Sequence, residues 1–246
     1  MAAPSNTAQG GPRAHPGMTP PASRPTRPNF LSDLPEKLSS ELLASSTLRH
    51  LGEGEVLFLA GEPANGLYRL EEGLVKVSVG ATTGAERILA ILGAGAIVGD
   101  LAIIDGLPRS ASVTGLRECK LRFVSRMQFE RFAEGHPEIY RYLVKILAAR
   151  LRDTDMILAA GSFLPLKGRV ARALVDLSKA FGKEVGNGRI LIHQKITQSD
   201  LAAIAGVARE NVSRILKDWI EQKLVSRLSG YYCLESPAKI SREADL

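Results

Sequence analysis

The spacing of hydrophobic positions changes along the chain and separates helical segments from β-prone ones. Leu34, Leu38, Leu42 and Leu43 recur near every fourth position and predict one short helix over residues 34–44. After that segment come short β-prone runs, which are residues 56–59, 67–70, 74–79 and 87–92, separated by turns with Gly61, Gly73, Gly84, Gly93 and Gly95. Many short strands at this spacing predict a compact antiparallel β-roll of the jelly-roll type.

A long amphipathic helix is predicted after Pro137, since proline is favourable at a first helical position, where its missing N–H would be unpaired anyway. Apolar residues recur every three or four positions, at Ile139, Leu143, Ile146, Leu147, Leu151 and Leu158. This stripe is narrow and lasts about five turns, which favours a two-helix seam between subunits over packing on the β-roll alone. Pro165 interrupts the pattern and predicts a hinge over residues 163–167.

The last third of the chain alternates helices with short strands. A helix is predicted first, over residues 168–180. The Gly-Asn-Gly sequence at residues 186–188 suits a tight turn, and a strand over residues 189–196 follows it. The chain from residue 163 onward therefore has the elements of a small domain of its own.

Two helices joined by a short turn come next. The first covers residues 199–204 and is capped by the Thr197 hydroxyl, and Gly206 makes the turn. The second helix carries its apolar residues on one face, at Val212, Ile215, Leu216, Trp219 and Ile220. Segments 224–225 and 231–234 then predict a β wing. This order of elements is typical of a winged helix-turn-helix.

The net charge of the chain is concentrated in this last third. The 246 residues carry a net charge of +6. From residue 163 onward there are 14 Lys and Arg against 9 Asp and Glu, whereas residues 31–162 have 15 against 17. A basic excess there is compatible with double-stranded DNA as a partner, and equally with a solvated basic surface.

The two ends of the chain are predicted to be tails. Residues 1–29 hold seven of the 13 prolines, three arginines and no acidic residue, which predicts disorder, with a DNA-contacting arm as the alternative. The predicted fold class is α+β. Its parts are a Pro-rich tail at 1–29, a β-roll at 30–136, a dimerisation helix at 137–162, a winged helix-turn-helix at 163–236 and a C-terminal tail at 237–246.

Several function classes lack support in the sequence. Cys119 and Cys233 lie far apart without a CxxC motif, so neither a disulfide framework nor a metal site is indicated. The four histidines are scattered, no Ser/His/Asp arrangement emerges, and an enzyme is not expected. No apolar run approaches the roughly 20 residues of a membrane helix, and the N-terminus lacks the apolar core of a signal peptide. We expect a cytoplasmic protein without a membrane partner.

The second helix of a helix-turn-helix lies in the major groove of DNA. Its apolar positions must face the core, which leaves four polar positions near its N-terminus for base edges: Arg209, Glu210, Ser213 and Arg214. An arginine can donate two hydrogen bonds to O6 and N7 of guanine, and a glutamate can accept one from N4 of cytosine. The alternative is a helical hairpin with a solvated charged face.

Residues 196–217, ITQSDLAAIAGVARENVSRILK, closely resemble the DNA-binding helices of the Crp/Fnr family of transcription regulators, and of its cyclic-AMP receptor branch in particular. The resemblance covers residues 34–234. It implies a homodimer on two-fold symmetric DNA, with RNA polymerase as a further partner. In that branch the arrangement of Arg209, Glu210 and Arg214 reads a TGTGA-like half-site. Fnr-like oxygen sensors carry an N-terminal cysteine cluster, and this chain has no cysteine before Cys119.

The resemblance also implies the set of residues at the DNA. The predicted DNA-binding residues are Thr197, Gln198, Arg209, Glu210, Asn211, Ser213, Arg214 and Lys217. These side chains are hydrogen-bond donors and acceptors at or near two helices, and such groups can bind both base edges and phosphates.

A second stretch resembles the phosphate-binding cassette that holds a cyclic nucleotide in this family: Gly99-Asp100-Leu101-Ala102 and Pro108-Arg109-Ser110-Ala111. A cyclic phosphodiester carries one negative charge, and the Arg109 guanidinium, the Ser110 hydroxyl and backbone N–H groups would offset its desolvation. Asp100 can accept a hydrogen bond from the ribose 2′-OH. The predicted ligand-binding residues are Gly99, Asp100, Leu101, Arg109, Ser110, Ala111, Arg150, Thr154 and Asp155.

On the long helix, the resemblance places Arg150 and Thr154 near the ligand, with Thr154 at the purine edge, while Asp155 replaces a hydroxyl residue of the partner subunit. Asp100 stands where cyclic-AMP binders usually have glutamate, and the segment from Asp100 to Arg109 is one residue shorter. Cyclic AMP is the expected effector. Cyclic GMP, a cyclic dinucleotide and no ligand are the alternatives.

Two further alternatives concern the whole function. One is a ligand-independent DNA-binding regulator with a structural β-roll, and the other is a cyclic-nucleotide-binding module that does not bind DNA. For Arg109 itself, the alternative is an internal salt bridge with Asp100 or Asp105.

Overall fold

The computed structural model describes residues 35–245, so the predicted tail at residues 1–29 lies outside the described residues. The helices of the first domain are α1 (Glu36–Ala44), α2 (Leu101–Asp105) and α3 (Arg126–Gly135). Its strands are β1 (Thr47–Leu51), β2 (Val56–Phe58), β3 (Gly66–Glu72), β4 (Leu74–Gly80), β5 (Glu86–Gly93), β6 (Ile97–Val98), β7 (Ser112–Gly115) and β8 (Cys119–Ser125). Each of the four predicted β-prone runs overlaps one of the strands β2 to β5.

These eight strands form two antiparallel sheets of four, in the orders β1-β8-β3-β6 and β2-β7-β4-β5. Successive side chains of a strand point to opposite faces, so each sheet can present an apolar face to the other. Leu70 and Leu121 of the first sheet pack with Val75 and Val113 of the second in one buried core. The predicted antiparallel β-roll is therefore confirmed.

The long helix α4 (Ile139–Phe163) divides its apolar residues between two faces. Ile139, Leu143 and Ile146 are buried in a core with residues of α1 and α3. A second set is more than half exposed: Tyr140, Val144, Leu151 and Leu158. The single stripe expected from the sequence is divided in the structure. Its first three residues are buried in the protein's own core, whereas Leu151 and Leu158 lie roughly 100° further round the helix and are exposed.

A short break separates α4 from the second domain. Leu164 ends α4, its N–H donating to the Ala160 carbonyl at 3.0 Å, and Pro165 stands immediately before the next helix. Leu164 is buried whereas Phe163 is 79% exposed. The predicted interruption at Pro165 is present, and it changes the direction of the chain between two long helices.

The second domain is a winged helix-turn-helix, as predicted. Its helices are α5 (Leu166–Phe181), α6 (Gln198–Ala205), α7 (Arg209–Glu221) and α8 (Pro237–Glu243). Its strands are β9 (Gly182–Glu184), β10 (Ile190–Ile192), β11 (Val225–Leu228) and β12 (Tyr231–Leu234), in the sheet order β11-β12-β10-β9. All the pairings in this sheet are antiparallel.

The core of the winged domain forms around the single tryptophan of the chain. Trp219 is fully buried and packs with Leu174 of α5 and with Val212 and Leu216 of α7. Ile220, which the sequence analysis placed on the same apolar face, is 44% exposed. It follows Trp219 by one residue, and the turn of the helix carries it out of the core.

Two predicted boundaries in this domain are corrected. The strand expected over residues 189–196 is only β10, and the strand implied before the turn at residues 186–188, for which no bounds were predicted, is β9. The expected C-terminal tail at 237–246 contains α8, which begins at Pro237 and buries Ile240 completely. Ile240 and Ala244 lie one turn apart on α8 and close the winged core.

Within residues 35–245, no helix is long and apolar enough to cross a membrane. The same residues contain no group of three or more His, Cys, Asp or Glu side chains that could hold a metal ion. The chemistry of the described part of the chain therefore has to be sought in its charged and hydrogen-bonding side chains.

Candidate functional site

The backbone of the predicted cassette is held by the neighbouring strand connection. The N–H of Gly61 donates to the Arg109 carbonyl at 2.8 Å, and the N–H of Arg109 donates to the Glu62 carbonyl at 2.9 Å. This reciprocal pair fixes residue 109 at the edge of the β-roll, so its side chain enters the interior. Arg109 is only 4% exposed.

Inside the β-roll, the Arg109 guanidinium is bound by backbone oxygens. Nη1 donates to the Gly99 carbonyl at 2.9 Å and Nη2 to the Gly66 carbonyl at 2.7 Å. The plane of the group lies over the Phe58 ring, with Cζ 4.2 Å from the ring centroid. Its Nε is buried and has no hydrogen-bond partner among the described residues. Gly66 and Phe58 were not anticipated, because only the folded chain brings them to Arg109.

Among residues 35–245, Arg109 forms no direct ion pair with a carboxylate, although Glu62 and Asp100 lie near enough to act on its charge. The internal salt bridge considered from the sequence is absent, since Asp105 instead accepts from the Leu107 N–H at 2.9 Å. Burial lowers the pKa of the Arg109 guanidinium, while the charges of Glu62 and Asp100 act in the opposite direction and only partly offset it. Because arginine titrates far above neutral pH, the group remains a buried cation. A buried cation with an unused donor fits an anionic ligand.

Glycine is required at position 99 by this arrangement. Gly99 has a φ of +82°, in the left-handed region that favours glycine. A Cβ built on Gly99 would overlap the Arg109 Nη1 atom. The predicted cassette glycine therefore makes the guanidinium's position possible.

Asp100 is held by the long helix. It is 5% exposed, and Arg150 Nη1 lies 3.0 Å from its Oδ1 and 2.8 Å from its Oδ2. The carboxylate that the sequence analysis placed at a ribose hydroxyl is thus engaged by a guanidinium of α4. This ion pair ties the cassette to α4, 50 residues further along the chain.

The remaining predicted ligand residues lie around this pair. Ala111 is buried, whereas Leu101 and Ser110 are exposed at the cassette surface. Thr154 and Asp155 are exposed on α4, and the Thr154 hydroxyl donates to the Arg150 carbonyl at 2.9 Å. Thr154 lies one turn beyond Arg150, between the Arg150 side of the helix and the exposed apolar stripe. Contacts therefore join Gly99, Asp100, Arg109 and Arg150 into one cluster, and leave the other side chains at its rim.

The predicted DNA-binding residues occupy the start of α6 and one side of α7. Thr197 caps α6 and forms a reciprocal pair with Asp200: the Asp200 N–H donates to Thr197 Oγ1, and the Thr197 N–H donates to Asp200 Oδ2, each at 3.0 Å. Gln198 follows it and is partly buried. The start of α6 therefore fixes the backbone position of both residues.

On α7, the polar side chains form a continuous exposed surface that we call the reading face: Arg209, Glu210, Ser213, Arg214 and Lys217. Val212 and Leu216 on the opposite side are buried, as the spacing predicted. Asn211 is partly buried and accepts a hydrogen bond from Arg214 Nη2 at 3.3 Å. Lys195, beside the Tyr231 ring of the wing at 5.6 Å, adds a positive charge that the sequence analysis did not single out.

Two stretches of the chain match known domain families. Residues 48–136 match the cyclic nucleotide-binding domain, and residues 168–242 match the Crp-like helix-turn-helix domain. The first stretch contains the cassette, and the second contains α6 and α7. Each match therefore covers one of the two candidate sites.

Relatives match most of the length of the chain. A CRP-like cAMP-activated global transcriptional regulator of Mycobacterium tuberculosis is 34% identical over 192 residues, which are 78% of this chain and 85% of that protein. The cAMP-activated global transcriptional regulator CRP of Haemophilus influenzae is 34% identical over 183 residues, 74% of this chain and 77% of that protein.

The fold is likewise that of solved regulators. The c-di-GMP-responsive global regulator CLP of Xanthomonas campestris superposes with a TM-score of 0.71 at 24% identity, over 81% of this chain and 99% of that one. At this identity the likeness concerns the fold alone.

The ion pair between cassette and helix gives a stability prediction. Arg150→Met should lower the free energy of unfolding of the β-roll by about 3–5 kcal/mol, because it leaves the buried Asp100 carboxylate uncompensated. The double variant with Asp100→Asn should recover most of that loss. Urea denaturation followed by circular dichroism measures both. Arg141→Met, at an exposed site on the same helix, should change stability by less than about 0.5 kcal/mol; equal losses in the single and double variants would contradict the assignment.

Proposed function

Since the chain belongs to the Crp/Fnr family of transcription regulators, we propose that it acts as a homodimer that reads a TGTGA-like palindromic DNA site under the control of a cyclic nucleotide. The chain is a DNA-binding transcription regulator with a cyclic nucleotide-binding domain, in a family of regulators and not of enzymes. The homodimer, the TGTGA-like half-site and the control by a cyclic nucleotide are the parts of this function that we propose.

One observation carries the proposal. The cassette buries the Arg109 cation without a direct ion pair and is joined by Asp100 and Arg150 to α4. This helix is followed by the break at Leu164 and Pro165 and then by the winged domain. Arg109 binds the carbonyl of Gly99, and the next residue, Asp100, binds Arg150 of α4. An anion at Arg109 would therefore act next to the residue that contacts α4. The helix that contacts the proposed ligand site is therefore the one that precedes the winged domain.

Cyclic AMP is the effector that we propose. A cyclic phosphodiester has one negative charge, which matches the single buried guanidinium. The relative from Mycobacterium tuberculosis, 34% identical, is named a cAMP-activated regulator. Cyclic GMP and cyclic di-GMP are the competing effectors, because Asp100 is one methylene shorter than the usual glutamate.

The homodimer is supported by the uncovered side of α4. Leu151 and Leu158 are 63% and 69% exposed, and Tyr140 and Val144 continue the stripe toward the start of the helix. An apolar stripe at this spacing is stabilised when it packs on an equivalent helix. The occupant that we propose is α4 of a second copy, which would place Thr154 and Asp155 close to the seam.

The control mechanism that we propose is a shift between two arrangements of the winged domains. A ligand near Thr154 would change how the two α4 helices meet and so move the break at Leu164 and Pro165. Such a ligand has to bind the DNA-competent arrangement more tightly than the other, or the equilibrium does not move. Both reading faces would then enter successive major grooves about 10–10.5 bp apart. RNA polymerase is the further partner that we propose for the bound dimer.

A ligand-independent regulator is the second candidate function, and a specific observation favours it. Two Arg109 nitrogens already donate to carbonyl oxygens, and Asp100 already binds Arg150, so much of the cluster is satisfied without an anion. Equal operator affinity with and without cyclic nucleotide would support this candidate.

Removal of the buried cation tests the effector site. Arg109→Ala should weaken cyclic AMP binding by about 10–100-fold, because a charge-assisted hydrogen bond contributes about 1.5–3 kcal/mol. Calorimetry with cyclic AMP, cyclic GMP and cyclic di-GMP measures the effect and identifies the effector. Arg141→Ala is the matched control at an exposed site on α4. Unchanged cyclic nucleotide affinity in a folded Arg109→Ala variant would show that the pocket lies elsewhere.

Base reading is tested on the reading face. Arg214→Ala should relax the preference for one guanine of the half-site by about 1–3 kcal/mol and leave the other positions unaffected. Binding to a set of single-base operator variants measures this. Arg242→Ala removes the same charge from an exposed site on α8 and should leave the preference for every base of the half-site intact. Uniform weakening on all sequences would assign Arg214 to a phosphate instead.

The subunit seam is tested by placing a charge in it. The variant with both Leu151→Lys and Leu158→Lys should sediment as a single chain, because two lysines cannot be buried in an apolar seam without partners. Analytical ultracentrifugation measures the mass. Leu48→Lys, at a site 57% exposed on β1, is the control and should leave the dimer intact. A two-chain mass for the double variant would exclude this face as the seam.

A further inference from the structure

A second connection between the two domains lies on strand β5. This strand contacts helix α6 of the winged domain. Ile91 packs against the winged core, whereas its neighbour Leu92 is buried in the β-roll core. Nearby, Arg117 Nη2 donates to the His193 carbonyl at 3.2 Å. The β-roll therefore touches the winged domain directly, in addition to the covalent connection through Leu164 and Pro165.

The closest part of this contact is between Arg87 of β5 and the turn of the helix-turn-helix. Gly206, with a φ of +65°, forms that turn. A Cβ built on Gly206 would lie 2.7 Å from the Arg87 Cζ atom. The guanidinium therefore rests on the turn itself, and glycine is needed at 206 for this approach as well as for its backbone angle.

Arg87 makes this contact by packing. Among the described residues, its guanidinium has no ion pair with a carboxylate. Burial lowers the pKa of Arg87, and the like charge of Arg169 lowers it further. Because the group remains charged, the packing of its flat guanidinium on the turn has to offset that cost.

The docked arrangement leaves the reading face open. A cleft of about 600 Å³ lies beside the contact, between Glu86 on one side and Ser199, Ala203 and Arg209 on the other. The other residues of the reading face do not line the cleft and are exposed, namely Glu210, Ser213, Arg214 and Lys217. The contact therefore lies against the turn between α6 and α7 and leaves most of the reading face accessible.

We propose that Arg87 is a positioning residue for DNA binding, which fixes the angle of α7 relative to the β-roll by packing on Gly206. This inference rests on the proposed function, since it takes α7 as the helix that enters the groove. With Arg87 in place, the two reading faces of a dimer are held at a set separation. Without it, the winged domain is joined to the β-roll mainly through the break between α4 and α5, and its orientation varies.

The test compares full-length wild type with Arg87→Ala, Arg87→Met and Arg131→Ala. Arg131 is exposed on α3, away from the winged domain, so its variant removes the same charge without touching the contact. Fluorescence anisotropy with a duplex carrying two TGTGA half-sites, at several KCl concentrations and with saturating cyclic AMP, gives the affinity. Calorimetry gives the affinity for cyclic AMP.

Arg87→Ala should weaken duplex binding by about ten-fold relative to Arg131→Ala, within the range known for mutations that alter coupling between sites. Base preference, cyclic AMP affinity and the salt slope should all remain those of the wild type. Arg87→Met, which keeps a long apolar stem, should restore most of the affinity.

Two results would overturn the positioning role alone: an Arg87→Ala affinity equal to that of Arg131→Ala, or a salt slope reduced by about one, which marks a lost phosphate contact. A wild-type protein that fails to bind the duplex at any salt concentration would instead overturn the proposed function, and the positioning role with it.

Discussion

Burying Asp100 and Arg150 together largely removes two charges from water at the junction of the β-roll and α4, and their mutual contact offsets that cost. The junction is therefore held in one register, since a shift of α4 by a single turn would separate the pair. Arg109, two backbone carbonyls and the Phe58 ring assemble beside it. From this fixed point α4 extends toward the winged domain, so the ion pair sets where that helix leaves the β-roll.

The two candidate sites differ in whether their charged side chains are buried or exposed to water. The cassette keeps its charges in the interior, where each one depends on specific partners and a substitution removes stability as well as function. The reading face keeps its charges in water, where Arg209 and Arg214 contribute little to folding. The winged domain can therefore change its base preference at low cost to its core, whereas a change of effector requires several buried residues to change together.

Elements with strong local signals were predictable from the sequence. The glycine-punctuated strands, the capped α6 and the apolar side of α7 were found because their spacing is local. What the sequence did not reveal depends on contacts between distant residues: the Gly66 carbonyl lies 43 positions from Arg109, and Arg87 meets Gly206 across two domains. The sequence analysis treated the two apolar faces of α4 as one stripe for the same reason, since only the folded β-roll shows which apolar residues it covers.

The single tryptophan has a consequence of its own. Trp219 is fully buried in the winged core, and the Lys167 ammonium, two residues after Pro165, lies 5.9 Å from its ring. The indole emission of the chain therefore originates in one domain, beside the point where the two domains join. The molecule carries an intrinsic optical probe, so melting of the winged domain and displacement of its first helix can be followed without a label, while the β-roll contributes no indole signal.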